Sequence, residues 1–515
     1  MDYKQLIIQK LNKAKAARNK HEDEISEAYQ YTYPNRDVWR TYEGTTDRTK
    51  LFDATASDSV QNLLSTILTL LIPQNQQWGY IGVRDDKKDT VGADLRRVLD
   101  NSNKMLFKTI RESSFYVSTS EALLDAIVGG TGCLAIYNNP TGFDFVSVPT
   151  SQLYFLTDYK DNVDTVFREH QLDAQYLFET YGEFDNEIAQ LAHKAPETKI
   201  PVLESVCRLT GDEQLTYRTY VTKNNVLVEE KPVVANPFIV FRFAKTLGET
   251  WGESLVRAAL PHIRTVNEVA KLILTQASWA GLGAFQTSSD TTVNYSNMKL
   301  EPGNVITVDQ PLQPIPFPGN FSLTNATLED QRQAIRTMLL NDSMAPFQTP
   351  TYMTATEIQL RQNEFFRRMG PYGLRLEQEF LKPLLRTLVK KLQNRGLIPE
   401  YVREDGETFE IIVNSAVKKG MAQAEITRDL QLVQAVSSLG GQALQLIDMQ
   451  KLAKKILRDG DASPEIIRTA RELEQLAEQQ EQQQLFNQTA QIINEQLQQQ
   501  SQQPQQPGQT PPTTM

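Results

Sequence analysis

The sequence predicts an α+β fold that is mainly α, and three observations carry that prediction. Helical periodicity governs the first quarter of the chain and most of its second half. Text rich in β-branched and aromatic residues is concentrated between the glycine cluster GGTG at 129–132 and residue 243. From residue 251 a long helix with one apolar face gives way to a Pro/Gly-rich stretch of short strands, and then to a second helix. At 515 residues the chain exceeds what one hydrophobic core usually organises, so two or more packed regions are expected.

Residues 2–31 read as one charged amphipathic helix, followed by the aromatic-rich turn YQYTYPNRDVWR. VQNLLSTILTLLIP (60–73) is the most apolar run. It is too short to span a bilayer and holds Gln61, Asn62, Ser65, Thr66 and Thr69, so it reads as a buried helix ended by Pro73. A further helix covers 92–112, and EALLDAIVGGTGCLAIYNN then passes from helical spacing through glycines into a strand. In WGESLVRAALPHIRTVNEVAKLILTQASWAG the residues Leu255, Ala259, Ile263, Val266, Ala270, Ile273 and Ala277 recur at three- and four-residue steps, with Pro261 as a candidate kink. The β excursion after it and the helix LTNATLEDQRQAIRTMLLND imply an antiparallel helix pair with a β tip.

SMAPFQTPTYM (343–353) combines Pro346 and Pro350 with the large apolar Met344, Phe347 and Tyr352 and carries no charge, unlike either a core strand or an ordinary surface loop. TATE then opens a helix, in which Thr354 can cap the N3 amide while Glu357 reaches back to the Thr354 amide. Glu357–Arg361 and Glu364–Arg368 add i, i+4 pairs worth roughly 0.2–0.5 kcal/mol each. Gly370 and Pro371 are expected to break or bend this helix before it resumes as YGLRLEQEFLKPLLRTLVKKLQNRG. TFEIIVN reads as a strand, and helices follow to about residue 480, one with Ser463 as cap and Pro464 at its first position. The text from 471 is Gln-rich and then Pro-rich, with too few apolar groups to offset the entropy of ordering.

Net charge is −10, which argues against a protein that grips nucleic acid by neutralising phosphates but not against one that lets DNA pass without sticking. Cys133 and Cys207 lie far apart with no CxxC spacing, so neither a disulfide framework nor a thiolate metal site is expected and the compartment reads as a reducing cytosol. The N-terminus lacks the continuous apolar stretch of a secretory signal. There is no GxxxxGK[ST] phosphate loop, and GGTG precedes a strand rather than a helix, so a turn that lets backbones approach is the better reading. His21, His170, His193 and His262 have no metal-ligand spacing and read as surface or core-edge residues. Cys133 reads as a small buried hydrophobe, and Asp53 and Asp58 in FDATASDS fit capping better than metal binding. Nothing converges on a reaction centre, so no enzyme, cofactor or metal is expected.

The order long helix, β tip, helix, uncharged loop, kinked helix resembles the portal, or head-to-tail connector, proteins of short-tailed (podovirus, T7-like) bacteriophages. LFDATASDSVQNLLSTILTLLIPQNQQW, WGESLVRAALPHIRTVNEVAKLIL and MTATEIQLRQNE are the stretches that look similar, and the likeness runs from about residue 5 to 470. The resemblance implies a wing at 1–250 to which 354–415 returns, a stem at 251–281 and 323–342, a clip at 282–322, a tunnel loop at 343–353, a helical crown at 416–470 and a tail at 471–515. It also implies a dodecameric ring at one capsid vertex of the virion, assembled in the host cytoplasm. Double-stranded DNA would pass through that ring during packaging by terminase and during ejection. Its other partners would be major capsid, scaffolding, internal core and tail adaptor or nozzle proteins, with no membrane.

Met344, Phe347, Gln348 and Tyr352 then either form a soft, uncharged constriction around DNA or pack between neighbouring subunits. Asn294, Tyr295 and Lys299 either dock terminase and tail adaptors or pair clips within the ring. Two alternatives stay open: another virion assembly or adaptor protein without a channel, and an intracellular enzyme that uses scattered carboxylates or Cys133 without a local motif.

Overall fold

The computed structural model describes residues 3–36, 51–83, 93–140, 142–182, 184–208, 215–222, 226–282, 285–286, 313–314, 321–341, 355–402 and 409–414, with 426, 428–436, 438, 452–453 and 456 beyond. The chain divides into a large unit, Met1–Met421, and a second unit, Ala422–Met515. In the second unit residues 428–436 are helical, while the predicted helix start at Ser463 and Pro464 and the Gln/Pro-rich tail lie outside the described residues. The large unit mixes helix and sheet and is mostly helical.

The single helix expected at 2–31 is two, α1 (Tyr3–Asn19) and α2 (Glu22–Thr32). The reason lies in their buried faces. Ile7, Leu11 and Ala14 of α1 pack on Phe167, Leu203 and Cys207, whereas Ile25, Ala28 and Tyr29 of α2 enter the main core. One straight helix cannot serve two cores, and Glu22, Asp23 and Glu24 supply the acidic first turn that favours a new helix start.

Helix α3 (Thr55–Leu71) stops before Pro73 as expected and buries Ala56, Val60, Leu63, Ile67 and Leu71. After strand β1 (Gly79–Val83) come α4 (Ala93–Arg111) and α5 (Phe115–Gly129), a largely buried helix. Gly130, with φ 91°, caps α5 in the left-handed region, and the chain turns directly into β2 (Thr131–Asn139). Strand β2 pairs with β3 (Gly142–Ser147) on one side and β9 (Phe238–Arg242) on the other. Between them in sequence runs a five-stranded antiparallel meander: β4 (Leu153–Thr157), β5 (Val163–Asp173), β6 (Lys199–Cys207), β7 (Thr216–Val221) and β8 (Val226–Pro232). Helices α6 (Ala174–Tyr181) and α7 (Asn186–Lys194) are inserted between β5 and β6 and share a small core with Ile200, Val202 and Val221.

The meander also buries polar groups. Glu204 accepts from Tyr217 Oη at 2.5 Å and from Tyr137 Oη at 3.0 Å, and Arg168 donates to Tyr137 Oη at 2.8 Å. His170 lies 3.9 Å from Glu204 through Nδ1. Burial with Arg168 close by, opposed by Glu204, pushes the His170 imidazole down to about 4.

Helix α8 (Leu255–Leu282) contains Pro261 and is followed by β10 (Phe285–Gln286), β11 (Gln313–Pro314) and α9 (Phe321–Met338). Helix α10 (Ala355–Leu376) begins where the TATE box predicts, although Thr354 and the Glu357 side chain lie outside what is described. Arg368, expected to pair with Glu364, donates to the Thr337 carbonyl of α9.

The expected break at Gly370 and Pro371 does not occur, because α10 runs through both to Leu376. Pro371 is on an exposed position, so its ring and its missing N–H fall toward solvent. The irregularity comes later, as a π-helical turn, Glu377–Leu381, closed by Lys382 N–H on the Glu377 carbonyl, from which α11 (Lys382–Asn394) continues. This turn buries Phe380 and Leu381 and brings Glu379 onto Arg242, which donates to it from Nε at 3.0 Å and Nη2 at 2.9 Å. The strand expected at TFEIIVN is β12 (Phe409–Val413), antiparallel to β1.

Candidate functional site: an anchored helix pair

Helices α8 and α9 lie side by side. His262 Nδ1 meets Gln331 Oε1 at 2.7 Å, and beyond the helix ends β10 pairs antiparallel with β11, so the two helices run in opposite directions. At 28 residues α8 is about 42 Å long. Its first part is embedded: Val256, Ala259, Leu260, Ile263, Val266 and Ala270 are buried. Past Ala270 only one side of the helix stays on the core, through Ile273, while Leu272 and Leu274 are 56% and 54% exposed. Of the face predicted from spacing, Ala259, Ile263, Val266 and Ala270 are buried, Leu255 and Ile273 partly so, and Ala277 is exposed.

Polar contacts hold the embedded part. Arg257 donates to Glu24 Oε2 through Nε at 3.1 Å and to the Gly252 carbonyl through Nη1 at 3.2 Å. Arg264, two turns further on, pairs with Glu27 through both Nε and Nη2. Asn267 Oδ1 accepts from the Phe52 amide at 2.8 Å. On α9, Arg332 donates from Nε at 2.9 Å and from Nη2 at 2.6 Å to Asp53 Oδ2, a buried carboxylate that also accepts from the Thr55 amide at 2.9 Å. Burial opposes ionisation of Asp53, but the Thr55 hydrogen bonds and Arg332 outweigh it and hold the carboxyl below the usual range. The N-cap position of α3 is Ala54, without a side-chain cap; Asp53, one residue earlier, accepts from the first N–H of the helix and is joined to an ion pair across 279 residues.

Helix α9 ends in a tight motif. Leu340 N–H bonds to the Thr337 carbonyl at 3.2 Å and Asn341 N–H to the Arg336 carbonyl at 2.8 Å, with Leu340 in the left-handed region at φ 58°. A leucine there costs about 1–2 kcal/mol, and the burial of its side chain offsets that cost. Asn341 Nδ2 reaches Ser59 Oγ at 3.4 Å. Asn341 is thus held in position by its own backbone and side-chain hydrogen bonds.

Met344, Phe347, Gln348 and Tyr352, and Asn294, Tyr295 and Lys299, all lie outside the described residues. Sequence reasoning missed Glu24, Glu27, Asp53, Arg257, Arg264 and Arg332 as the groups that fix the pair. The i, i+3 and i, i+7 spacings of Glu24–Glu27 and Arg257–Arg264 place each set on one helix face, but no local signal names the partner face.

Cys133 and the polar groups around the core have structural partners. Cys133 is completely buried in β2, and burial pushes its thiol well above the ordinary range. Asp125 accepts from Tyr29 Oη at 2.7 Å and from Arg36 at 2.7 and 2.9 Å. His21 contacts Glu249 and Arg257, and the His193 ring packs on Phe178. Among the described residues no group of three or more His, Cys, Asp or Glu could hold a metal, and no helix is long and apolar enough to cross a membrane. What the arrangement provides is mechanical: a long helix clamped along its first part, with Leu272 and Leu274 exposed further on.

The portal protein of Enterobacteria phage T3 is 23% identical over 443 residues, covering 82% of this chain and 81% of that protein. The portal protein of Escherichia phage T7 is 23% identical over 405 residues, covering 75% and 74%. A family model described as bacteriophage head to tail connecting protein matches residues 4–467. With nearly all of its length inside that match, the chain belongs to the bacteriophage head to tail connecting protein family.

Proposed function

We propose that the chain is a portal protein: twelve copies close a ring at one capsid vertex, through which double-stranded DNA enters during packaging and leaves at ejection. The observation that carries this reading is the family match from 4 to 467. The anchored α8–α9 pair with its β10–β11 pairing supports it. In this reading 1–250 and the returning 354–415 form the wing, 251–281 and 323–342 the stem, 282–322 the clip and 416–470 the crown. The exposed outer part of α8, with Leu272 and Leu274, packs against neighbouring copies, since a head-to-tail interface closes a ring without a two-fold patch.

The loop 343–353 is the tunnel loop, with Met344, Phe347, Gln348 and Tyr352 as an uncharged constriction. A polyanion slides past such a surface because no phosphate contact is retained. Asn294, Tyr295 and Lys299 of the clip dock terminase during packaging and tail adaptors afterwards, while capsid, scaffolding and internal core proteins contact the ring elsewhere. Membership in the family makes the protein a structural connector rather than an enzyme.

Negative-stain images of the purified protein test the ring: particles with a central hole are expected, and compact monomers at micromolar concentration contradict it. Deletion of 345–351 should leave rings but let packaged DNA leak. Stable, full heads from that deletion would remove the constriction from the proposal.

A further inference from the structure

Two large apolar side chains stand almost fully in solvent, at the tips of two adjoining turns. Tyr159, 91% exposed, is in the turn between β4 and β5, and Leu247, 98% exposed, is in the loop that leads from β9 to α8. Neither turn is loose. Asp158 Oδ1 accepts from the amides of Lys160 and Asn162, each at 2.8 Å, and Asp158 N–H bonds to the Asn162 carbonyl at 2.9 Å. Around Leu247, Glu249 N–H bonds to the Thr246 carbonyl at 3.2 Å with Gly248 at φ 87°, and Ala244 and Glu253 pair through both backbone bonds at the base of the loop. Lys245 and Arg242 both donate to the Asp161 carboxylate, which ties the two turns together. A single exposed apolar residue is ordinary. Two on turns held this firmly form a knob that loses little conformational freedom when it is covered.

A matching hollow lies elsewhere on the same chain. A cleft of about 540 Å³ between the end of α3 and the start of α5 is lined by Leu68, Ile72, Pro73, Tyr116 and Val117, and among the described residues no charged side chain lines it. Clefts of that volume enclose bodies larger than one side chain, so there is room for a tyrosine and a leucine. The knob does not fill the cleft of its own chain, since Tyr159 and Leu247 are exposed and Val117 is 66% exposed. Their places in the fold say why. Gly130, at the C-terminal end of α5, is in backbone contact with Gly252, so the Leu247 loop is rooted there, whereas the cleft is at the N-terminal end; from Val117 to Gly129 the helix rises about 18 Å. Charge at the edges can pair as well. Lys160 beside Tyr159 and Glu121, one turn from Val117 on the same face of α5, are exposed and of opposite sign, and Glu249 on the knob likewise opposes Arg111 by the cleft. Arg36, which Glu121 also faces, is already held by Asp125.

We propose that the Tyr159–Leu247 knob of one copy seats in the α3–α5 cleft of a second copy of this chain. A head-to-tail contact needs two different patches on one chain, a projection and the recess that takes it, and its repetition closes a ring when the rotation permits. An unrelated partner would account for the knob or for the cleft but not for both. Neither surface buries an unpaired charge when the two meet, and tyrosine is among the residues that anchor protein interfaces. The inference rests on the ring reading for the meaning of the contact, and it adds a second surface between copies to the outer part of α8.

Crosslinking of the full chain with a flexible bis-maleimide tests it. Leu247→Cys/Val117→Cys should give a ladder of covalent oligomers beyond the dimer, while either single variant should give none, since each cysteine then lacks a partner in the neighbouring copy. Cys133 and Cys207 are buried and add no background. Leu247→Asp, a substitution made in solvent, should leave the fold intact and raise the concentration at half-assembly at least about tenfold by light scattering. Assembly unchanged by Leu247→Asp would give the knob to another protein and overturn the proposal. Dimers from Leu247→Cys by itself would make the contact two-fold and overturn it as well. Negative-stain images of the same samples separate the two readings: rings without a ladder sink this contact alone, a ladder from open chains sinks the closed ring alone, and monomers without a ladder sink both.

Discussion

Gly130 and Gly252 meet backbone to backbone: a β-carbon on Gly252 would stand 2.1 Å from the Gly130 carbonyl oxygen, and one on Gly130 would stand 2.4 Å from the Gly252 oxygen. The contact joins the end of α5 to the segment that launches α8. Around it Gly252 N–H bonds to Thr131 Oγ1 at 3.0 Å and Phe243 N–H to the Gly130 carbonyl at 2.9 Å. Gly252→Ala must therefore displace backbone rather than a side chain, and we expect a loss of about 1–3 kcal/mol in urea unfolding. Gly142→Ala, whose β-carbon would meet nothing within 4 Å, is the control and should change stability by less than about 1 kcal/mol.

Asp53→Asn keeps an acceptor for the Thr55 amide but removes the charge opposite Arg332. A hydrogen bond to a charged group contributes about 1.5–3 kcal/mol, and we expect a loss toward the lower end because Arg332 is partly exposed. The pH dependence follows from the lowered carboxyl. Stability from Asp53 is fully present above the ordinary carboxylate range and is lost as pH falls through and below it, so the wild type and Asp53→Asn should converge in strong acid. Curves that stay parallel down to about pH 2 would contradict the ion pair.

His170 predicts a second acid-sensitive window, at higher pH. Its folded value of about 4 lies below the unfolded 6.5, so the unfolded chain takes up the proton first. Stability is present above about pH 6.5 and falls, by up to about 3 kcal/mol, as pH drops toward 4. His170→Leu should flatten the melting temperature over that interval. An equal slope in both proteins would show that His170 is charged in the fold.

Cys133 should resist iodoacetamide in the native protein and react after denaturation, because the thiolate is the nucleophile and burial suppresses it. Cys133→Ala is expected to cost about 1–2 kcal/mol and to leave the fold intact by circular dichroism. Rapid native alkylation at this position would revive a reactive role for it.

Several elements were legible because the forces that form them are local. The helices at 55–71, 93–111, 255–282 and 321–338, the stop before Pro73, the helix start at Ala355 and the turn at GGTG all follow from apolar spacing, proline chemistry or glycine conformation within a few residues. Where the reading failed, the deciding partner was distant. The helix at 2–31 is divided because its two apolar faces go to different cores. Pro371 leaves α10 unbroken because that position faces solvent, while a π-turn forms where Glu379 meets Arg242, 137 residues away.

By itself, then, the sequence determined the α+β class, the helix pair with its β tip and the likeness to a connector family. Only the tertiary structure decided what clamps the pair, Asp53 on Arg332 and Glu24 and Glu27 on Arg257 and Arg264, and that Tyr159 and Leu247 stand exposed on turns tied to each other. Periodicity fixes which face of an element is apolar within a few turns of chain. Ion pairs and surface clefts depend on which faces meet after hundreds of intervening residues have folded, and no local pattern records them.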